Sequence, residues 1–431
     1  MFLSEGLSIN KAGHLLVENC DTVELAEKFG TPLYVMSENT IRKNCRLFSK
    51  SMKQNYKNSL VIFASKALNC LEICRIVNDE GLGLDVVSGG ELYTAKKAGF
   101  PMDRVFFHGN NKTSDELKMA LESKVGRIIV DNVFELDELD ELAGKMGVKA
   151  DIMFRIKPGV DAHTHDFVKT GQIDSKFGFA LENGEAFEAV KYTTKLKNVN
   201  LTGLHCHIGS QIFDDEPFIA AAEVMLKLYV KIKKELNITL SDLNLGGGFG
   251  IKYIESDDPM AYDKFMNTVS NVIHDFCSVN SIDVPRILIE PGRAIVGEAG
   301  TTLYTVGAIK EIENIRNYVF VNGGMGDNPR YALYNADYSA IIANKADATA
   351  DYTATIAGKC CESGDLIQED TKIAKPEKGD ILAVLSTGAY NYSMSSNYNR
   401  IPRPAMVMVN EDKARVVIKR ETYDDIIKND I

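Results

Sequence analysis

Along most of the chain, short apolar runs alternate with longer stretches in which apolar residues return every three or four positions. Runs with the apolar, β-branched character of buried parallel strands occur at 60–66, 83–88, 104–109, 127–132, 151–156, 201–209, 242–249 and 286–293. Between successive runs lie stretches of helical period, such as Thr113 to Lys124, Phe134 to Met146, Pro217 to Leu236 and Tyr262 to Val279. Ahead of them, residues 1–35 read as a short hairpin-like start that leads into a strand at Pro32 to Met36. Glu38 to Met52 then reads as a helix with Ile41, Cys45, Leu47 and Phe48 on one face. Eight strand–helix units with no glycine fingerprint after the first strand predict a closed (β/α)8 barrel of the TIM type rather than an open doubly wound sheet.

From about residue 297 the pattern changes to strands without helices. They are expected at Leu303 to Ile312, Tyr318 to Asn322, Tyr352 to Gly358 and Asp380 to Leu385, with Val407 to Asn410 paired to Ala414 to Ile418 across Glu411-Asp412-Lys413. The expected organisation is an α/β barrel over 37–296, an all-β C-terminal domain over 297–431, and an N-terminal strand segment, 1–36, packed with that β-domain. Ile341 to Thr353, polar and alanine-rich, is expected to be a mobile loop.

Composition narrows the partners. Apolar residues make up 45% of the 431, enough for a sizeable core, and 49 basic against 60 acidic side chains give a net charge of −11. With no basic run, nucleic acid and anionic membrane are not expected partners. Met1 to Leu16 lacks an apolar core of signal-peptide length and no run approaches a membrane span, so a cytoplasmic protein is expected. Eight scattered cysteines, only Cys360 and Cys361 adjacent, form no CxxC pair and imply reduced thiols.

Candidate chemistry sits where the predicted barrel strands end, the place that supplies catalytic groups in this architecture. Lys66 ends the first run, Asp85 and Ser88 the second, His108 the third, Arg155 the fifth, His207 the sixth, Gly246-Gly247-Gly248 the seventh, and Glu290 to Arg293 the eighth. A lysine at a strand end either snorkels to water or is a desolvated amine of lowered pKa, as Schiff-base chemistry with a carbonyl cofactor requires. The company of the other polar strand ends favours the second reading. The triple glycine is either a tight turn or a close backbone approach to a phosphate, with Arg293 adding charge. Because Ile251 stands where GxGxxG needs glycine, it is not a dinucleotide motif. Glu290 is either a structural ion-pair partner or an acid that keeps a pyridine nitrogen protonated.

His205 and His207 alternate on one strand, and His163 and His165, flanked by Asp161 and Asp166, add a second pair. Paired histidines on barrel strands admit a metal-dependent hydrolase as a rival. Zinc leaves Lys66 and Glu290 unexplained, and an imidazole stacked on an aromatic cofactor suits His207 better, so no metal is expected.

Several ordered motifs carry a family resemblance over nearly the whole chain: Phe63 to Asn69, Asp85 to Leu92, His108 to Lys112, Ser175 to Gly178, His207 to Gln211 and Glu290 to Arg293. Together they resemble the fold-type III decarboxylases that use pyridoxal 5'-phosphate (PLP), whose alanine racemase-like fold joins a barrel to a β-domain. Asn328-Pro329-Arg330, Tyr334, Cys361 to Asp365 and Gly388-Ala389-Tyr390 narrow the resemblance to the branch acting on diaminopimelate. It implies decarboxylation of meso-diaminopimelate at its D centre to L-lysine and CO2, the last step of lysine biosynthesis. It implies that Lys66 carries the cofactor, that His207 stacks on the ring and that Glu290 binds the ring nitrogen. Asp85 and His108 would also bind the cofactor, while Ser210, Gly246, Gly247, Gly248, Gly292 and Arg293 would surround its phosphate. Arg293, Arg330, Tyr334, Glu362 and Tyr390 are implied substrate contacts, Tyr390 also touching cofactor, and Cys361 matches the proton donor.

The resemblance further implies a homodimer in which Cys361 and Glu362 reach the partner's site, making each site composite. The chain departs from the family pattern at Asp174 and Tyr331, where histidine and proline are expected. A decarboxylase of another basic amino acid, of the ornithine, lysine, arginine or carboxynorspermidine type, would share the barrel motifs. It would need acids, not Arg330, at the far end of its substrate.

Overall fold

The computed structural model describes residues 3–160 and 175–431. The chain divides into two compact units: Cys45–Gly250 with Pro259–Gly292, and Met1–Asn44 with Ile251–Asp258 and Arg293–Ile431.

The first unit is a closed barrel of eight parallel strands: β1 (Ser59–Ala64), β2 (Gly83–Val86), β3 (Val105–Phe107), β4 (Arg127–Val130), β5 (Ala150–Lys157), β6 (Val199–Cys206), β7 (Asp242–Asn244) and β8 (Arg286–Ile289). Each pairs with the next in sequence, and β8 returns to β1 through Ile287 opposite Ser59 and Ile289 opposite Val61, which removes every open edge. The strands read as continuous apolar runs because both faces are covered. Ile62, Phe106, Ile129, Met153 and Leu288 fill the barrel interior, while the outer face meets the helices. The helices begin where the sequence offers caps. Thr113 and Glu116 form a reciprocal capping box on Ser114–Ser123, Ser88 caps Gly89–Ala98, and Asn132 caps Val133–Met146. Capping is thus the role of Ser88 in this unit. Around Phe48, the rings of Phe218, Phe249, Tyr262 and Phe265 form an aromatic cluster with centroids 4.5 to 6.3 Å apart.

The second unit is built on a nine-stranded sheet. Its N-terminal strand, Leu33–Ser37, lies between two strands far along the chain. It is antiparallel to Gly300–Ile312 and parallel to Ala405–Asn410. Leu33, Val35, Leu303, Ala383, Leu385 and Val407 form its core. Two expectations need correction here. Part of the expected mobile loop at 341–353 is ordered core: Ala340–Ile342 pairs with Ile381–Leu385, and Ile341, Ala343 and Ala346 are buried. A run of three apolar residues is too short to show a strand period, and the Lys345–Asp380 ion pair at 2.8 Å fixes the polar side of the turn that follows. The second is an omission, the eight-residue strand Leu366–Ile373. Its Gln368-Glu369-Asp370-Thr371-Lys372 centre carries no apolar alternation, and it is held by pairing with Tyr352–Ala357.

Candidate active site

At the C-terminal end of the barrel, a carboxylate has been buried and then satisfied. Glu290 follows β8 and is 6% exposed. One oxygen, Oε1, accepts a 2.6 Å hydrogen bond from Asn244 Nδ2 at the end of β7 and lies 2.9 Å from His108 Nε2, just after β3. The other, Oε2, lies 3.1 Å from Nε2 of His205 on β6. Asn244 turns its own carbonyl oxygen to the Gly246 N–H at 2.9 Å, so one amide ties the acid to the glycine loop. Asp85, on β2, stands 4.0 Å from His108.

These contacts set the charges. Burial pushes the Glu290 carboxyl up, but the His108 and His205 imidazoles pull harder and hold it well below the usual carboxylate range. Burial drives His205 down to about 4 against the pull of Glu290, and it also leads the lowering of His207, reinforced by the charges of Lys66 and Arg155. Both rings are therefore neutral near pH 7. For Asp85 burial wins and raises the carboxyl, with the His108 charge opposing and that of Glu290 adding. Burial lowers Arg155, while Asp131, Glu290 and Asp85 pull it back up.

Lys66 departs from expectation. The strand ends at Ala64, and Lys66 sits in the following 3-10 turn, Ser65–Ala67, whose flanking residues are fully buried while the lysine itself is exposed in the chain. A turn that points Ser65 and Ala67 inward must point the residue between them out, so the amine is presented at the barrel end rather than desolvated within it.

The glycine loop is also more specific than a phosphate cradle. Gly246, at φ +71°, passes so close to Cys206 that a Cβ would lie 2.4 Å from its carbonyl oxygen. At Gly247 the same atom would meet the Glu290 carbonyl at 2.2 Å. The Gly246 N–H is engaged by Asn244, and the Gly247 N–H by His207 Nδ1 at 3.3 Å. Of three glycine N–H groups expected to face a phosphate, two serve internal bonds. Gly248, at φ +117°, packs on Gly209, beside Ser210 in sequence, and Gly292 lies against Ala64 and Ala67.

In the second unit a different cluster forms. Arg330, 7% exposed, donates to the Tyr338 hydroxyl at 2.8 Å, and its guanidinium lies 4.7 Å from the Tyr253 ring and 5.3 Å from that of Tyr338. Among the described residues it has no carboxylate partner. Arg293 donates to the Tyr253 hydroxyl at 2.5 Å and lies 4.8 Å from the Tyr390 ring. Tyr390 holds φ at +64°, a left-handed conformation costly for a bulky side chain and characteristic of functional positions. Tyr334 ends the short helix Arg330–Tyr334.

Cys361 and Glu362 are exposed in the chain. The Cys361 N–H is held by Asn399 at 2.7 Å, and among the described residues Glu362 bonds within its own loop. Cys360, half-buried, has its thiol pushed up to about 11 by burial and by Asp365.

The structure thus joins Glu290, His108 and Asp85 in one cluster and Arg293, Arg330 and Tyr390 in another. It adds residues that were not singled out as site members: His205, Asn244, Tyr253, Tyr338 and Lys112. Lys112 is buried with its ammonium on Glu135 and the carbonyls of Gly109 and Ile129, each at 2.8 Å, which fixes the turn after His108. His205 and Asn244 stand inside motifs already noted, and a fully buried polar residue at a barrel strand end was the available signal. His205, His108 and Glu290 also bring three potential metal-ligating atoms within 4.8 Å of one another. The second histidine pair, His163 and His165, with Asp161, Asp166 and Asp174, lies outside the described residues.

A pyridine ring needs an acid that stays ionised and retains a free lone pair. A carboxylate accepts about four hydrogen bonds. Among the described residues Glu290 has three neighbours on its two oxygens, so it meets both requirements. With an amine presented at Lys66 and a neutral ring at His207, the barrel residues fit a pyridoxal cofactor.

Comparison with known proteins agrees. Residues 38–297 match the family model of the pyridoxal binding domain of pyridoxal-dependent decarboxylases, the class that this fold and site define. The chain is 48% identical to a diaminopimelate decarboxylase of Bacillus subtilis, over 100% of this chain and 98% of that protein. It is 49% identical to that of Bacillus methanolicus, over 98% of each. The solved structure of the M. jannaschii diaminopimelate decarboxylase in complex with L-lysine superposes with a TM-score of 0.93 at 37% identity, covering 100% of this chain and 99% of that one. The chain belongs to the diaminopimelate decarboxylase family, which sets aside the hydrolase reading. A lysine/ornithine decarboxylase of Vibrio vulnificus, 22% identical over 90% of this chain with a TM-score of 0.75, shares the fold.

Proposed function

We propose that this protein decarboxylates meso-diaminopimelate at its D centre, giving L-lysine and CO2 in the last step of lysine biosynthesis. It does so with PLP, as a cytoplasmic homodimer. Lys66 would hold the cofactor through its amine, Glu290 would keep the ring nitrogen protonated, and the neutral His207 would lie against the ring. Asp85 and His108 support that edge. Ser210, Gly248, Gly292 and Arg293 would surround the phosphate, with Gly246 and Gly247 shaping the loop. When bound, the protonated ring supplies the electron sink that carbon dioxide loss requires.

The remaining tasks fall to side chains. Arg330 pairs with the distal carboxylate, Glu362 of the partner subunit with the distal ammonium, and Tyr334 and Tyr390 close around the substrate. Cys361 of the partner subunit holds a proton on Sγ and gives it to the carbon that lost CO2. The observation that carries this reading is Arg330 itself: buried, ringed by phenols and facing no acid among the described residues, it is matched to an anion that arrives with the substrate. A plain diamine-type substrate would leave that guanidinium unpaired.

Subunit mixing tests the assignment. Lys66→Ala and Cys361→Ala chains, each inactive by itself, are expected to recover up to about a quarter of wild-type activity after exchange. Half of the randomised dimers are mixed, and one of the two sites in each is intact. No recovery after exchange verified by mass would overturn the shared site.

A further inference from the structure

The loop that carries Cys361 and Glu362 and the turn that carries Arg330 belong to one unit but are about 30 residues apart in sequence. A single carboxylate joins them. Asp365, 3% exposed, accepts the Met325 N–H at 2.5 Å through Oδ1 and the Cys360 N–H at 2.6 Å through Oδ2. Met325 lies on the turn leading to Asn328-Pro329-Arg330, and Cys360 directly precedes Cys361. Two backbone bonds, Lys359 N–H to Gly323 at 2.9 Å and Gly358 N–H to Asp365 at 2.9 Å, run beside it.

The space for this carboxylate is built by glycines. A Cβ on Gly324 would lie 2.5 Å from Asp365 Oδ1. One on Gly358 would lie 2.3 Å from Oδ2 and 2.4 Å from the Gly324 Cα. The far side of the turn is fixed independently, where Asp327 accepts from the Tyr304 hydroxyl at 2.5 Å and from the Gly324 N–H at 3.1 Å. A buried carboxylate that accepts one backbone N–H from each segment, with the Cys360 thiol also against it, sets their register to within a hydrogen-bond length.

We infer that Asp365 is a positioning residue that aligns the Cys361–Glu362 loop with the Arg330 turn. It thereby sets where this chain's Cys361 is delivered to the partner's site, by fixing that loop to the turn whose Arg330 serves the chain's own site. This rests on the functional reading above and deepens it.

The test is a double-mutant cycle on the holoenzyme. Asp365→Asn, which turns an amide N–H toward a backbone N–H, is expected to lower kcat roughly tenfold or more while leaving the cofactor absorbance of the barrel unchanged. Combined with Cys361→Ala, it should lower kcat no further than Cys361→Ala alone, because the two act through one loop. A merely structural role would give losses that multiply. Asp365→Ser enters the same cycle if the asparagine variant does not accumulate folded.

Multiplying losses or a wild-type kcat for Asp365→Asn would overturn the inference. Full activity of Cys361→Ala would instead remove the proton-donor reading, and this inference with it.

Discussion

In the barrel, a buried carboxylate is surrounded by two imidazoles and an amide, with a guanidinium acting on it. In the other unit, a buried guanidinium is surrounded by phenols. Glu290 and Arg330 are equally hidden, at 6% and 7% exposed, yet their surroundings differ in kind. Glu290 meets groups that oppose or solvate its charge on both oxygens, so the cluster is complete before any substrate arrives. Arg330 meets ring faces and a hydroxyl, which cradle a cation without neutralising it. On the proposed function, a charge completed by the fold would organise a constant part of the chemistry. On the same reading, a charge left uncompensated among the described residues would select what enters.

The largest effect should come from removing the uncompensated charge. Arg330→Ala is expected to lower kcat/KM for meso-diaminopimelate by about 2 to 5 kcal/mol, roughly 30-fold to several-thousand-fold, while narrowing the preference over lysine. Steady-state kinetics on both substrates check this, and unchanged turnover of diaminopimelate would break the comparison on its open side. On the closed side, Glu290→Gln keeps the shape but loses the anion. It should lower kcat by roughly 10² to 10³ with little change in selectivity between the two substrates.

A smaller effect separates the clusters by pH. The unfolded chain protonates His205 near its ordinary 6.5, whereas the folded ring, lowered by burial, does so at about 4. Between these values the unfolded state binds more protons. This contribution is complete above pH 6.5 and is lost as pH falls toward 4, by up to about 3 kcal/mol. Glu290, held low, adds a loss of the same sign below the ordinary carboxylate range. His205→Asn should make the fall in melting temperature between pH 6.5 and 4 shallower. A profile parallel to wild type would show that the imidazole is not the group being titrated.

The two clusters were also unequally visible in the sequence. The barrel was legible because eight apolar runs and their helices share a strong periodicity, and its chemistry was legible because such barrels put functional groups at strand ends. Family motifs, not periodicity, pointed to Arg330, Tyr334 and Cys361. The bonds of His205 and Asn244 to Glu290 were not legible, since they cross the barrel between residues 46 and 85 positions apart. Tyr253 and Tyr338 escaped for the same reason: a tyrosine that stacks on arginine looks, in one dimension, like any core aromatic. The direction of Lys66 depended on a turn of three residues, which no hydrophobic period encodes.

The left-handed backbone of Tyr390 bears on how this family can change over time. A bulky residue held at φ +64° costs on the order of 1 to 3 kcal/mol, and glycine or asparagine would relieve it. Random drift toward a more durable fold would therefore keep proposing those replacements at this position. Each would remove the ring that lies beside Arg293. At this single residue, backbone ease and the ring beside Arg293 pull in opposite directions.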